Sequence, residues 1–108
     1  MTPEVEFGMS DVHSEPVMTA GRDETLALLK SLVAGARTVH QVHTPEIDLD
    51  DDGATVIWAV HDRAVFDDGV SVTGYGHYTD RWIRDAGTWK LASSRLTHLL
   101  TDVHHGPA

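Results

Sequence analysis

Cysteine is absent from the 108 residues, which removes disulfide frameworks, thiolate metal sites and cysteine nucleophiles together. Cations are scarce: Lys and Arg number 8 against 17 Asp and Glu, for a formal charge of −9. Such a chain repels phosphate backbones and anionic lipid, so neither nucleic acid nor a membrane is an expected partner. Apolar runs stay far below the roughly 20 residues of a membrane-spanning helix. The opening Met1-Thr2-Pro3-Glu4 lacks the basic-then-apolar order of a secretory leader, and a cytoplasmic protein is the expectation. Internal repeats and low-complexity stretches are missing too. What the chain does have is 41% hydrophobic residues, enough for one core and, at this length, one domain over residues 1–108.

Val5, Phe7 and Met9 alternate with Glu4, Glu6 and Gly8, the period of a half-buried strand. Val12 to Ala20 has no period and reads as a loop. Gly21-Arg22-Asp23-Glu24 then opens a helix with acidic residues in its first turn, where the helix dipole favours them. Leu26, Leu29 and Val33, flanked by Leu28 and Leu32, give that helix one wide apolar stripe, and Gly35 ends it. Beyond Arg37, three clusters carry the Asp and Gly chemistry of hairpin turns: Asp50-Asp51-Asp52-Gly53, Asp67-Asp68-Gly69 and Asp85-Ala86-Gly87. They predict four long strands, Thr38–Leu49, Ala54–Phe66, Val70–Arg84 and Thr88–Thr101, with a bulge or bend at Pro45 and a frayed tail over 102–108. The fold class is α+β, one helix packed on a strongly curved antiparallel meander, with Gly74 and Gly76 marking the bending.

Residues that face each other across a hairpin have a nearly constant index sum, so the meander can be paired from its turns. The first turn places His40 opposite Asp62 or Arg63, depending on the bulge. The second places Asp62 opposite Gly74 and Trp58 opposite Tyr78. Alternation then gathers Trp58, Val60, Asp62, Gly74, Gly76 and Tyr78 on one face, with His40 joining them. This face is apolar except for a carboxylate, an imidazole and a phenol beside two residues without side chains, the make-up of a pocket. The other face carries His61, Arg63, Tyr75, His77, Thr79 and Arg81, a solvated or intersubunit surface. A carboxylate beside an imidazole orients the ring and raises its basicity, which suits proton transfer near neutral pH. Buried His and Asp also occur simply satisfying each other inside a sheet.

Other patterns carry less. His40 and His43 fall on opposite faces of a regular strand, the wrong geometry for a shared metal, and no metal site is expected. Ser93 and Ser94 lack a nucleophile elbow, and no helix follows Gly74-Tyr75-Gly76 as a phosphate loop requires. Asp50 to Asp52 reads as a solvated turn, and of Trp58, Trp82 and Trp89 only Trp58 falls on the pocket face.

Gly21-Arg22-Asp23-Glu24, Thr38-Val39-His40, Pro45-Glu46-Ile47, Ile57-Trp58-Ala59 before Asp62, Gly76-His77-Tyr78-Thr79-Asp80 and Gly87-Thr88-Trp89-Lys90-Leu91, in that order over about residues 3 to 101, resemble the SnoaL-like group of the nuclear-transport-factor-2-like superfamily. The resemblance implies a cone, a curved sheet around helices enclosing a deep apolar pocket, with frequent dimerisation. It also implies cofactor-free proton chemistry on small hydrophobic molecules, as in the polyketide cyclases, dehydratases and isomerases of that superfamily. In the dehydratases a histidine on the strand after the last helix and an acid on the next strand belong to the active site; the matching positions here are His40 and Asp62. Typical members begin with two further helices that cap the cone, whereas Met1 to Phe7 resembles the strand that follows them. An uncapped concavity exposes apolar surface, and self-association is the expected remedy.

The resulting expectation is a lyase or isomerase, dehydratase- or cyclase-like, with His40, Asp62 and Tyr78 as catalytic residues. His40 acts as base or acid, Asp62 orients it and Tyr78 donates a hydrogen bond to a developing oxyanion. Trp58, Val60, Gly74 and Gly76 bind the substrate, a small hydrophobic molecule, with no cofactor. The alternative is a non-catalytic domain that binds a small ligand or oligomerises.

Overall fold

The computed structural model describes residues 1–106. Its elements run β1 (Glu6–Asp11), α1 (Arg22–Val33), β2 (Ala36–Leu49), β3 (Gly53–Phe66), β4 (Val70–Asp85) and β5 (Thr88–His105). They build a five-stranded sheet of order β1-β5-β4-β3-β2 with the one helix against it, the α+β class that the turn signals predict. The chain closes each hairpin where Asp and Gly cluster. Asp50 Oδ1 accepts from the amides of Asp52 and Gly53 at 2.9 and 2.8 Å, and Arg81 binds the same carboxylate through both terminal nitrogens at 2.6 and 2.9 Å. That guanidinium, with the turn amides, holds the Asp50 carboxyl well below the usual carboxylate range. The last hairpin turns on Ala86 and Gly87, both left-handed at φ 51° and 82°, as a tight loop matched to the twist of its strands requires.

Pairing agrees with the index-sum reading: His40 lies opposite Asp62, while Asp62 faces Gly74 and Trp58 faces Tyr78. The register of β2 shifts between His43 and Glu46, around Pro45, whose missing amide proton cannot serve the ladder. The strand expected to fray continues instead: Asp102 to His105 pair with Val70 to Thr73, because the first residues of β4 present backbone groups that need partners. Pro107 and Ala108, the rest of that expected tail, lie outside the described residues.

β1 runs parallel to β5, Glu6 beside Ser93 through Asp11 beside His98. Val5 is fully buried just ahead of the strand and Phe7 is buried within it, whereas Met9 is exposed. The segment after β1 folds back along it. Thr19 N–H donates to the Phe7 carbonyl at 2.8 Å and Gly21 N–H to Val5 at 3.0 Å. Phe7 N–H donates to Thr19 Oγ1 at 2.8 Å, and Thr19 and Thr25 hydroxyls meet at 2.6 Å. Thr25 commits its single proton to carbonyl oxygen, Gly21 at 2.7 Å and Val5 at 3.3 Å, so Thr19 is the donor between the two hydroxyls. This buried chain ties α1 to β1 and sets the helix over the inner face of the sheet. There Leu28 and Leu29 pack on the core of Phe7, Val60 and Leu96, beside Tyr78.

Replacing Thr25 by Val keeps the shape and strands the Thr19 hydroxyl proton among buried groups. Thr25→Val is expected to cost about 1–3 kcal/mol in urea unfolding; an unchanged midpoint would remove this chain from the determinants of helix placement.

Candidate functional site

The inner face divides into two polar stations separated by Tyr78. The first lies at a cavity of about 540 Å³ between α1 and the sheet, within the range of small-molecule sites. Its wall includes Phe7, Met9, Leu26 and Leu29 as apolar surface and His40, Asp62, Tyr78 and His98 as polar groups. Asp62 Oδ2 and His98 Nε2 are 2.9 Å apart, with side chains only 14% and 17% exposed.

Asp62 sits on β3 and His98 on β5, with β4 between them, so the two side chains must meet across an intervening strand. Gly74 permits this. It is the residue of β4 opposite Asp62, and a Cβ there would lie 2.5 Å from Asp62 Oδ1 and 2.7 Å from His98 Nε2, closer than any real methyl contact. The glycine leaves a gap through which carboxylate and imidazole touch. Gly76 has a different use: a Cβ would strike the Thr97 carbonyl, beside the register shift between Tyr75 and Gly76 that bends β4 against β5.

The second station is Asp80, buried beyond Tyr78 and absent from the cavity wall. Burial pushes its carboxyl up, opposed by the hydroxyl of Ser94, which donates at 2.6 Å, and by the indoles of Trp82 and Trp58. Burial first, then the charges of Asp62 and Asp80, raises the Tyr78 hydroxyl above its ordinary value. Tyr78 is thus a phenol at neutral pH, a donor at the inner end of the cavity.

Of the residues singled out by sequence, the structure brings His40, Asp62 and Tyr78 to one cavity. His40 lies on the exposed strand β2, opposite Asp62 in the ladder, but the imidazole bonded to Asp62 belongs to His98. Trp58, Val60, Gly74 and Gly76, expected to bind substrate, are not on the wall. Val60 is core, 4% exposed; Trp58 turns to Asp80; the two glycines act through the space they leave. His98 is the group that sequence reasoning did not find. Its face depends on a shift in register between Arg81 and Trp82. Unshifted pairing puts Thr97 opposite Gly76 and turns His98 outward, since one residue of slip reverses every side chain. Among the described residues no cluster of His, Asp and Glu is arranged to hold a metal ion, and no helix is long and apolar enough to cross a membrane.

Comparison with known proteins places the fold. The family model described as the SnoaL-like domain matches residues 1–95. A crystal structure of a candidate scytalone dehydratase from Novosphingobium aromaticivorans superimposes with a TM-score of 0.79 at 22% identity, covering 99% of this chain and 71% of that one. The Kfla4162 protein of Kribbella flavida gives 0.76 at 23% identity, over 94% and 73% of the two chains. The hexachlorocyclohexane dehydrochlorinase LinA-type3 of Novosphingobium barchaimii gives 0.79 at 16% identity, over 97% and 72%. At these identities the likeness is one of fold. No curated protein matches the sequence.

Gly74→Ala is expected to part Asp62 from His98 while leaving the sheet folded. The check is proton NMR: a downfield imidazole N–H resonance in the native protein that is lost in the variant. Its survival would show that the pair does not need the gap.

Proposed function

Because the chain belongs to the SnoaL-like domain family, we propose that it is a cofactor-independent lyase or isomerase that moves protons on a small hydrophobic molecule, with His98 and Asp62 as its acid-base pair. The observation that carries this reading is the 2.9 Å contact of a shielded imidazole and carboxylate on the wall of a mostly apolar cavity.

The chemistry follows from the contact. An ionised carboxylate only accepts hydrogen bonds, so His98 donates Nε2–H to Asp62, and the ring's lone pair is left on Nδ1. In an elimination, Nδ1 takes the proton from the carbon next to an electron-withdrawing group. That C–H pair becomes the new double bond and the bond to the leaving group breaks. A hydroxyl leaves as water with a proton from His40 in its imidazolium form, which ends neutral, whereas a halide leaves as the anion and takes no proton. Asp62 stabilises the imidazolium formed on His98, and Tyr78, held as a phenol, donates to the oxygen on which charge collects. In an isomerisation the abstracted proton returns to another carbon.

The experiment is a screen of β-hydroxy and β-halo cyclic ketones small enough for the cavity, followed by enone absorbance. With a substrate in hand, His98→Gln and Asp62→Asn are each expected to lower kcat by about 10²–10⁴-fold with the fold retained. Turnover that survives His98→Gln would overturn the assignment.

A second reading, a non-catalytic binding or self-associating domain, is favoured by β2. Val42, Ile47 and Leu49 are exposed along this edge strand, and apolar side chains beside unpaired backbone invite a second copy. Under it, sedimentation finds a homo-oligomer that binds apolar probes and turns over none of the ketones.

A further inference from the structure

The charges around the cavity do not follow those of the chain. Of 17 acidic residues, Asp62 alone lies on the cavity wall, whereas Lys30 and Arg63 both do. Asp62 is already engaged by His98. Of the other six cations, Arg81 pairs with Asp50, Lys90 with Asp85 and Arg95 with Glu15, Arg84 lies over the Trp89 ring and Arg22 donates to the Met1 carbonyl. Arg37 has no carboxylate partner among the described residues but is not on the cavity wall. Lys30 and Arg63 have no carboxylate partner among the described residues, in a chain with twice as many acids as bases.

Lys30 is the closer concern. It stands in the last turn of α1 on the same flank as Leu26, Leu29 and Val33, all of which line the cavity. The residues three and four positions away on its helix are Leu26, Ala27, Val33 and Ala34, so no acid lies within reach of an intrahelical ion pair. Its exposed side chain can lay its stem along the apolar wall and hold the ammonium at the rim. Strand alternation turns Arg63 to the face opposite Asp62, so Arg63 adds field at the mouth more than contact. Its ladder neighbours, Val39 on β2 and Thr73 on β4, carry no charge.

We propose that the cavity takes an amphipathic anion: an apolar ring body seated between α1 and the sheet, with a carboxylate or similar anionic group paired to Lys30 at the rim. This deepens the reading of the cavity as the substrate site and rests on that reading, but not on the chemistry of His98. It also gives the ligand a direction. The anionic end stays at the rim while the apolar body extends towards Asp62, His98 and Tyr78, and the chain's formal charge of −9 disfavours non-specific anion binding to its surface as a whole.

Anilinonaphthalene sulfonate and its uncharged parent phenylnaphthylamine share one apolar body and differ in the sulfonate, so the pair isolates the charge. Fluorescence titration of the folded protein at low salt is expected to give a sulfonate affinity about tenfold above that of the parent. Amide shifts should be confined to cavity residues such as Leu29 and Ala64. Lys30→Met should reduce the preference to within about twofold without changing the parent's affinity, and Lys30→Arg should restore it. His98→Gln should keep the preference even as it abolishes turnover, so a failed acid-base assignment and a failed anion site give different results. Equal affinity for the two probes would overturn the proposal, as would binding by neither, sulfonate shifts away from the cavity, or a preference that survives Lys30→Met.

Discussion

A carboxylate on β3 and an imidazole on β5 share a hydrogen bond only because the strand between them has nothing to put in the way. Neighbouring strands lie close to 5 Å apart and side chains stand roughly upright on the sheet, so residues two strands apart do not ordinarily touch. The gap at Gly74 lets Asp62 and His98 lean towards each other over β4, where a Cβ would overlap both. The register shift between Arg81 and Trp82 is the other half of the same device, since it turns His98 inward. Glycine and bulge together convert a regular meander into one with a hydrogen-bonded imidazole and carboxylate on its helix-facing side. Both belong to paired strand rather than loop, which fixes the two groups on the stiffest part of the molecule.

The helix completes the enclosure, and its placement rests on hydroxyls as well as on its apolar stripe. Leu28 and Leu29 reach the core, but Leu26, Leu32 and Val33 line the cavity and remain exposed. An apolar stripe spent on a cavity wall contributes less burial than one packed against a sheet. The Thr19–Thr25 chain, with the backbone bonds from Thr19 to Phe7 in β1 and from Gly21 to Val5 just ahead of it, supplies a second, directional attachment. It fixes the first turn of α1 while the last turn, where Lys30 stands, overhangs the cavity.

The legible parts of the fold are the local ones. Asp and Gly clusters locate all three hairpins, Pro45 locates the bulge in β2, and counting from the turns pairs Asp62 with Gly74 and Trp58 with Tyr78 as the ladder does. It leaves His40 opposite Asp62 or Arg63, and the ladder has Asp62. Counting fails where the physics is not local. The parallel pairing of β1 with β5 joins the two ends of the chain, and no turn announces it. The threonine chain is hidden because Thr19 lies in a stretch with neither period and Thr25 is off the apolar stripe of α1, and its work is done by hydrogen bonds rather than by burial of an apolar face. His98 escapes notice because a single residue of slip at Arg81 decides its face. The resemblance to SnoaL-like proteins supplied the fold, and hairpin counting supplied part of the cavity wall. Neither revealed which imidazole Asp62 holds.

Two carboxylates on one concave face have opposite surroundings, and the contrast explains why only one is suited to chemistry. Asp80 receives a hydroxyl and lies beside two indoles, all neutral donors that cannot take a proton from a reacting group, and it is not on the wall of the cavity that Asp62 lines. Its role is to satisfy buried donors at the closed end of the sheet. Asp62 faces a single partner that can itself accept a proton, next to open space. Tyr78 stands between them and senses both charges, which with its burial keep the hydroxyl protonated. A phenol flanked in this way offers a hydrogen bond without competing for the proton that His98 and Asp62 share. The division of one apolar face into a sealed carboxylate, a neutral donor and an imidazole–carboxylate pair at the cavity lets a chain of this size keep a core and still line a cavity with polar groups.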